Sequence, residues 1–187
     1  MERIKEELKS RLSLSRYEHV LRVEQVASQL ANHYDVDVDA TTRAALLHDI
    51  AKNMDRQILR DMLVKGGADE RLLLYHHELW HGPAGAMLAV QLFQEKDEDV
   101  LNAVRYHTTG RAHMSDLEKV IFIADLIEPG RDFPGVDALR AVSMQSLDEA
   151  MKHCIAHSIQ FLVSKKVAIF PDSFECYNEC ILGDSTT

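Results

Sequence analysis

The run Leu46-Leu47-His48-Asp49-Ile50-Ala51-Lys52 sets a histidine and an aspartate side by side inside an otherwise apolar helical stretch. A carboxylate buried without a partner is prohibitively unfavourable, and buried charges are normally paired or bound to metal. Metal ligation is therefore the first chemistry to weigh, against the plainer alternative of a histidine donating to an adjacent acid at a helix edge. Further groups stand in comparable places. His19 shares a stripe with Val23, Val26 and Leu30, and His107 ends the stripe begun by Val100 and Val104. His81 precedes Gly82-Pro83, the expected N-cap and first residue of a helix, and Asp125 is the single charge between Val120 and Ile127. His76 and His77 lie about one turn upstream of His81 and compete for its role; the Gly-Pro start, which fixes the backbone, favours His81.

A satisfied core histidine explains any one of these positions, but it would have to be invoked on helix after helix. Four imidazoles and two carboxylates form a mixed nitrogen and oxygen set suited to first-row divalent metals, with iron, manganese and nickel all acceptable. With Asp49 as a bridge the set is large enough for two ions, one on His19, His48 and Asp125 and the other on His81 and His107. His153 and His157 are four apart, but nothing acidic joins them, so they are taken as surface or packing residues, as are His33 and His113.

The elements that must position these groups read as helices throughout. A peripheral amphipathic helix spans roughly Glu2 to Leu12, and a second, carrying His19, runs from Ser15 to about His33. Asp39 is the expected N-cap of the helix with the His48-Asp49 pair. Short helices are expected at Asp55 to Val64 and Asp69 to Tyr75, on either side of a Gly66-Gly67 turn that lacks any phosphate-loop spacing. The helix beyond His81 runs through Leu92, and the next runs from Asp97 or Asp99 to His107. Ser115 followed by Glu118 has the form of a capping box and opens the Asp125 helix. The stretch from Glu128 to Gly135 is a Pro/Gly-rich loop able to present Arg131, with an Arg131–Asp132 ion pair as the plain alternative. After it come a long helix from about Ser143 to Lys166 and a last helix from near Asp172. The class is all-α, and the 187 residues suit a single domain.

Composition narrows the partners. The chain is 46% hydrophobic and 27% charged, ordinary for a soluble globular protein. Its net charge of -9 argues against nucleic-acid or anionic-membrane surfaces, which need clustered Lys and Arg. An anionic small substrate remains compatible if metal supplies the positive charge. The opening residues lack the apolar core of a secretory signal, no stretch is long enough to span a bilayer, and Cys154, Cys176 and Cys180 are odd in number, so a cytoplasmic protein with reduced thiols is expected. Oligomeric state is open, a homodimer included.

The order His, His-Asp, His, His, Asp resembles the HD-domain metal-dependent phosphohydrolase superfamily, over roughly Arg16 to Gly135. The details are similar to the bacterial YqeK family: Arg16-Tyr17-Glu18-His19-Val20, Ala44 to Lys52, Trp80-His81-Gly82-Pro83-Ala84-Gly85, Ala103 to Gly110, and Ile123 to Gly135. The resemblance implies an HD-domain helical bundle over residues 1–187, with a metal-binding core at about 16–135 and peripheral C-terminal helices over 143–182. It also implies a di-iron centre and symmetrical hydrolysis of diadenosine tetraphosphate to two ADP by attack of a metal-activated hydroxide. The expected ligands are His19, His48, Asp49, His81, His107 and Asp125, with Asp49 and Lys52 catalytic. Lys52, Arg105 and Arg131 are candidates to grip the polyphosphate, and Thr108 and Thr109 to hydrogen-bond phosphate or ribose. Rival expectations are an HD phosphohydrolase acting on another nucleotide or phosphate ester, an HD-type di-iron oxygenase, and a binding module without catalysis.

Overall fold

A computed structural model describes residues 1–183. Among the described residues ten helices follow one another: α1 (Glu2–Arg11), α2 (Leu14–Tyr34), α3 (Val38–Leu47), α4 (Arg56–Lys65), α5 (His81–Phe93), α6 (Glu98–Tyr106), α7 (Asp116–Ile127), α8 (Val136–Ser143), α9 (Leu147–Ser164) and α10 (Pro171–Leu182). Two 3-10 turns, Glu70–Leu74 and His77–Leu79, lie between α4 and α5, and no strand occurs among the described residues. The second expected short helix, Asp69 to Tyr75, is thus the tighter 3-10 form.

Local chemistry sets the helix ends. The Ser115–Glu118 capping box is complete: Ser115 Oγ accepts from the Glu118 N–H, and the Glu118 carboxylate accepts from the Ser115 N–H. The cap of α3 is Asp37, not Asp39, because the Asp37 carboxylate accepts from the N–H groups of both Asp39 and Ala40. Helix α5 starts at His81 with Trp80 as cap, so Gly82 and Pro83 are its second and third residues. Proline is tolerated there for the same reason as at the first position, since no N–H of the first turn has a partner inside the helix. The His48-Asp49 pair is not inside a helix: α3 ends at Leu47, His48 caps it, and Asp49 begins a series of turns.

The long helix expected from about Ser143 to Lys166 is α9, Leu147–Ser164, and a shorter helix that was not expected, α8, precedes it. α8 ends at Ser143, and Ser146 caps the new start at Leu147 by accepting from the Glu149 N–H. The C-terminal helical region therefore begins at Val136 rather than at 143. Eight residues of α8 are too few to display a periodic stripe, and the preceding Pro134-Gly135 reads as loop.

α2 packs on α3 and α7, and α6 lies against α3, α5 and α7. Between them sit fully buried Leu46, Leu47 and Ile50 from the end of α3, with Ile121 and Ile123 from α7. α9 packs on α7, and α8 and α10 pack against α9. The buried stripe of α2 is His19, Val20, Val23, Ala27 and Leu30, so Ala27 takes the place expected of Val26. Among the described residues no helix is long and apolar enough to cross a membrane.

Candidate metal centre

The helices bring all six expected ligands to one place. His19 comes from within α2, His48 and Asp49 from the end of α3, His81 from the start of α5, His107 from the cap of α6, and Asp125 from the last turn of α7. Five are buried, and only the Asp125 side chain, 22% exposed, reaches solvent. The C-terminal ends of α3, α6 and α7 converge here, and the negative ends of their dipoles add a potential that favours a cation.

Hydrogen bonds fix the imidazoles. His48, His81 and His107 each donate Nδ1–H to the carbonyl three residues earlier, Ala45 at 2.6 Å, Glu78 at 2.6 Å and Val104 at 2.8 Å. His19 Nδ1 donates to Glu128 Oε1 at 3.0 Å. With every Nδ1 committed, every Nε2 is a bare lone pair turned inward. Nε2 of His81 and Nε2 of His107 lie 3.0 Å apart, and Nε2 of His19 lies 3.0 Å from Asp125 Oδ1. Nε2 of His19 and of His48 are buried without a hydrogen-bond partner. Lone pairs facing one another at such distances, with orphaned nitrogens among them, are what a cation between them would resolve.

Two groups have donor atoms within 4.8 Å of one another: His19, His48 and Asp125, and His48, Asp49 and His107. His48 thus faces both halves, where only Asp49 was expected to be shared. Asp49 spans them. Its Oδ1 lies 3.1 Å from His81 Nε2 and 3.9 Å from His107 Nε2, while its Oδ2 lies 3.3 Å from His48 Nε2 and 3.6 Å from His19 Nε2. The electrostatics keep the carboxylates charged. Burial alone would raise the Asp49 carboxyl, but His48 and His81 outweigh it and hold it well below the usual range. Asp125 is depressed in the same way, against its burial, by His19, His48 and Arg131. Burial opposes the charge on His48, and the Asp49 carboxylate more than offsets that, so its pKa is raised. His107 is pushed down to about 3 by burial and by its histidine neighbours, which leaves it a neutral donor at physiological pH.

Cations line the exposed side. Arg16 Nη1 donates to Asp49 Oδ2 at 2.9 Å, and Arg131 donates through Nη2 to Asp125 Oδ1 at 2.6 Å and through Nε to the Asp125 carbonyl at 2.8 Å. The Arg131–Asp132 pair is not the arrangement found. Lys52 Nζ donates to Glu78 Oε2 at 2.7 Å. Arg105, Thr108 and Thr109 line a separate cleft of ≈ 400 Å³ with Pro83, Met87 and Phe170, and none of the six clustered residues lines it. His76 and His77 belong to neither group, His153 is exposed, and His157 stacks on Phe133 with centroids 4.4 Å apart.

Sequence reasoning assigned no role to Arg16, Arg22 or Glu128. Arg22 Nε donates to Glu128 Oε2 at 2.5 Å. The available signals were Arg16 one turn before His19, Arg22 one turn after it, and Glu128 one turn after Asp125. Gly82 is a further one, since a Cβ there would lie 2.7 Å from the Arg105 carbonyl oxygen, so glycine lets α5 approach α6 closely beside His81 and His107.

The HD domain family model matches residues 16–130. A Bacillus subtilis protein named symmetrical bis(5'-nucleosyl)-tetraphosphatase is 39% identical over 176 residues, 94% of this chain and 95% of its own length. A Staphylococcus aureus protein of the same name is 38% identical over 180 residues, 95% of this chain and 93% of its own. A crystal structure from Clostridium acetobutylicum, described as a predicted HD superfamily hydrolase involved in NAD metabolism, superposes with a TM-score of 0.92 at 37% identity, over 96% of each chain.

Proposed function

This chain belongs to the HD-domain family, and on that footing we propose that it is a metal-dependent hydrolase cleaving diadenosine tetraphosphate symmetrically into two ADP. Two relatives named for that activity align with nearly its whole length. The observation that carries the proposal is the Asp49 carboxylate, one oxygen toward His81 and the other toward His48 and His19.

In this proposal His19, His48 and Asp125 hold one divalent ion, His81 and His107 hold a second, and Asp49 is shared. The ions are iron, with manganese as a substitute. Bound there, they supply charge neutralisation for phosphoryl oxygens and lower the pKa of an attacking water. The chain's own residues supply the rest, since phosphoryl transfer depends mostly on positioning and electrostatics. Buried Nδ1–H bonds hold each imidazole in the tautomer that leaves Nε2 free. Lys52 and Arg131 are assigned to the substrate's phosphates, and Arg16, part-buried on Asp49, joins them. A tetraphosphate gripped at its middle, where charge is densest, leaves a nucleoside diphosphate on each side of the cut. Arg105, Thr108 and Thr109, in the cleft beside His107, are assigned to a distal part of the substrate. The three unpaired thiols fit a reducing, cytoplasmic setting.

The test is chromatography of products from diadenosine tetraphosphate, run beside NAD, mononucleotides and cyclic nucleotides with the same metal-loaded protein. ADP alone from diadenosine tetraphosphate, at the highest kcat/KM of the panel, is expected. AMP with ATP, or faster turnover of another compound, would sink the proposal and favour an HD phosphohydrolase of different substrate.

A further inference from the structure

His19 differs from the other three clustered histidines in what holds its ring. Theirs are backbone carbonyls that come with the helix ends and carry no net charge. His19 lies within α2, where the neighbouring carbonyls are occupied by the helix ladder, and it donates to a carboxylate 109 residues away in sequence. Glu128 is 2% exposed, and its second oxygen accepts from Arg22 Nε at 2.5 Å and from the Gly130 N–H at 2.6 Å. Both oxygens are therefore engaged by donors, so Glu128 acts on the cluster through His19 and not as a ligand.

We propose that Glu128 is the positioning residue of the His19 half of the centre and makes the ion at His19, His48 and Asp125 the more tightly held of the two. The inference rests on the metal assignment above. A carboxylate on Nδ1–H fixes the tautomer and strengthens Nε2 as a donor more than a neutral carbonyl does, and loss of such a partner typically weakens metal binding by tenfold to a hundredfold. The same residue shapes the turn that carries Arg131. Glu128 receives the Gly130 N–H, and its own carbonyl, with those of Ile127 and Arg131, accepts from Arg140 of α8. His19 is thereby tied to the segment that lays Arg131 on Asp125.

Chelator titration of the purified holoprotein, with released metal quantified, tests this. Glu128→Gln is expected to give up one ion per chain at roughly tenfold to a hundredfold lower chelator concentration than wild type, and to hold the other as wild type does. Glu128→Asp keeps the charge beside Arg22 but is one methylene too short to hold Arg22 and His19 together. It is expected to lose the same single ion, and it decides the matter if Glu128→Gln does not fold. A purely structural role would loosen both ions together. Both ions loosened equally, or both held as in wild type, would overturn the inference alone. Wild-type protein without stoichiometric metal would overturn the metal assignment as well, and that failure is read in a different sample.

Discussion

Replacing Gly82 with alanine tests whether the close approach of α5 and α6 sets the spacing of His81 and His107. A methyl at Gly82 would stand 2.7 Å from the Arg105 carbonyl oxygen and 3.3 Å from that of Val104. Carbon rests against a carbonyl oxygen at about 3.3 Å or more, so against the 2.7 Å available the helices must part by roughly 0.6 Å. The obstacle is helix backbone, which cannot swing aside as a side chain would. His81 precedes Gly82, and His107 follows Arg105 by two, so the parting falls between imidazoles whose Nε2 atoms stand 3.0 Å apart. Overpacking of this kind costs about 1–3 kcal/mol, and alanine recovers up to about 1 kcal/mol from the unfolded-state freedom of the glycine it replaces, for a net loss of up to about 3 kcal/mol. In a chain of this size that lowers Tm by up to about 12 °C. A misplacement approaching an ångström can cost on the order of a hundredfold in rate, so kcat/KM is expected to fall roughly tenfold to a hundredfold while the fold survives. Steady-state kinetics on diadenosine tetraphosphate beside thermal melts of the metal-loaded variant measure both. Wild-type kcat/KM, whatever the Tm, would refute the idea that this glycine spaces the ligands.

Asp49→Ala is expected to lose both ions by metal analysis, because its two oxygens face both halves, whereas His157→Ala, which removes only a stack on Phe133, keeps them. Equal loss from the two variants would mean that the wrong histidines were chosen. Arg131→Ala should lower kcat/KM by on the order of tenfold to a thousandfold, the scale of one to three charge-assisted contacts, and a loss in kcat rather than KM would show that the contact strengthens in the transition state. The depressed His107 pKa has a pH signature: the unfolded chain takes a proton near 6.5 while the folded one resists until about 3, so His107 contributes stability above 6.5 that is lost as pH falls toward 3. Melts of metal-free wild type and metal-free His107→Gln across that window should converge as pH drops, and a difference that grows instead would contradict the assignment of His107 as a buried neutral base.

The ligands were legible because each is a polar residue within an apolar run or at the mouth of an apolar helix, an anomaly that burial makes unfavourable unless something answers it. The Ser115 capping box was legible because its two hydrogen bonds lie within three residues. What sequence periodicity could not supply is long-range. Glu128 meets His19 and Arg22 across more than a hundred residues, and Arg16 meets Asp49 across 33, so their roles exist only once α2, α3 and α7 are packed. Helix α8 carries too few turns to announce itself, yet its Arg140 holds the loop that positions Arg131. Lys52 and Arg105 were read by charge alone, and charge does not say which acid or which cleft a long side chain will reach.

The central claim is that the clustered histidines and aspartates perform symmetrical hydrolysis of diadenosine tetraphosphate, and the most direct measurement is the product profile of wild type beside Asp49→Asn, both reconstituted with iron or manganese. ADP as the sole product from wild type and none from the variant is the predicted result. AMP with ATP from wild type, or equal ADP from both proteins, would contradict it.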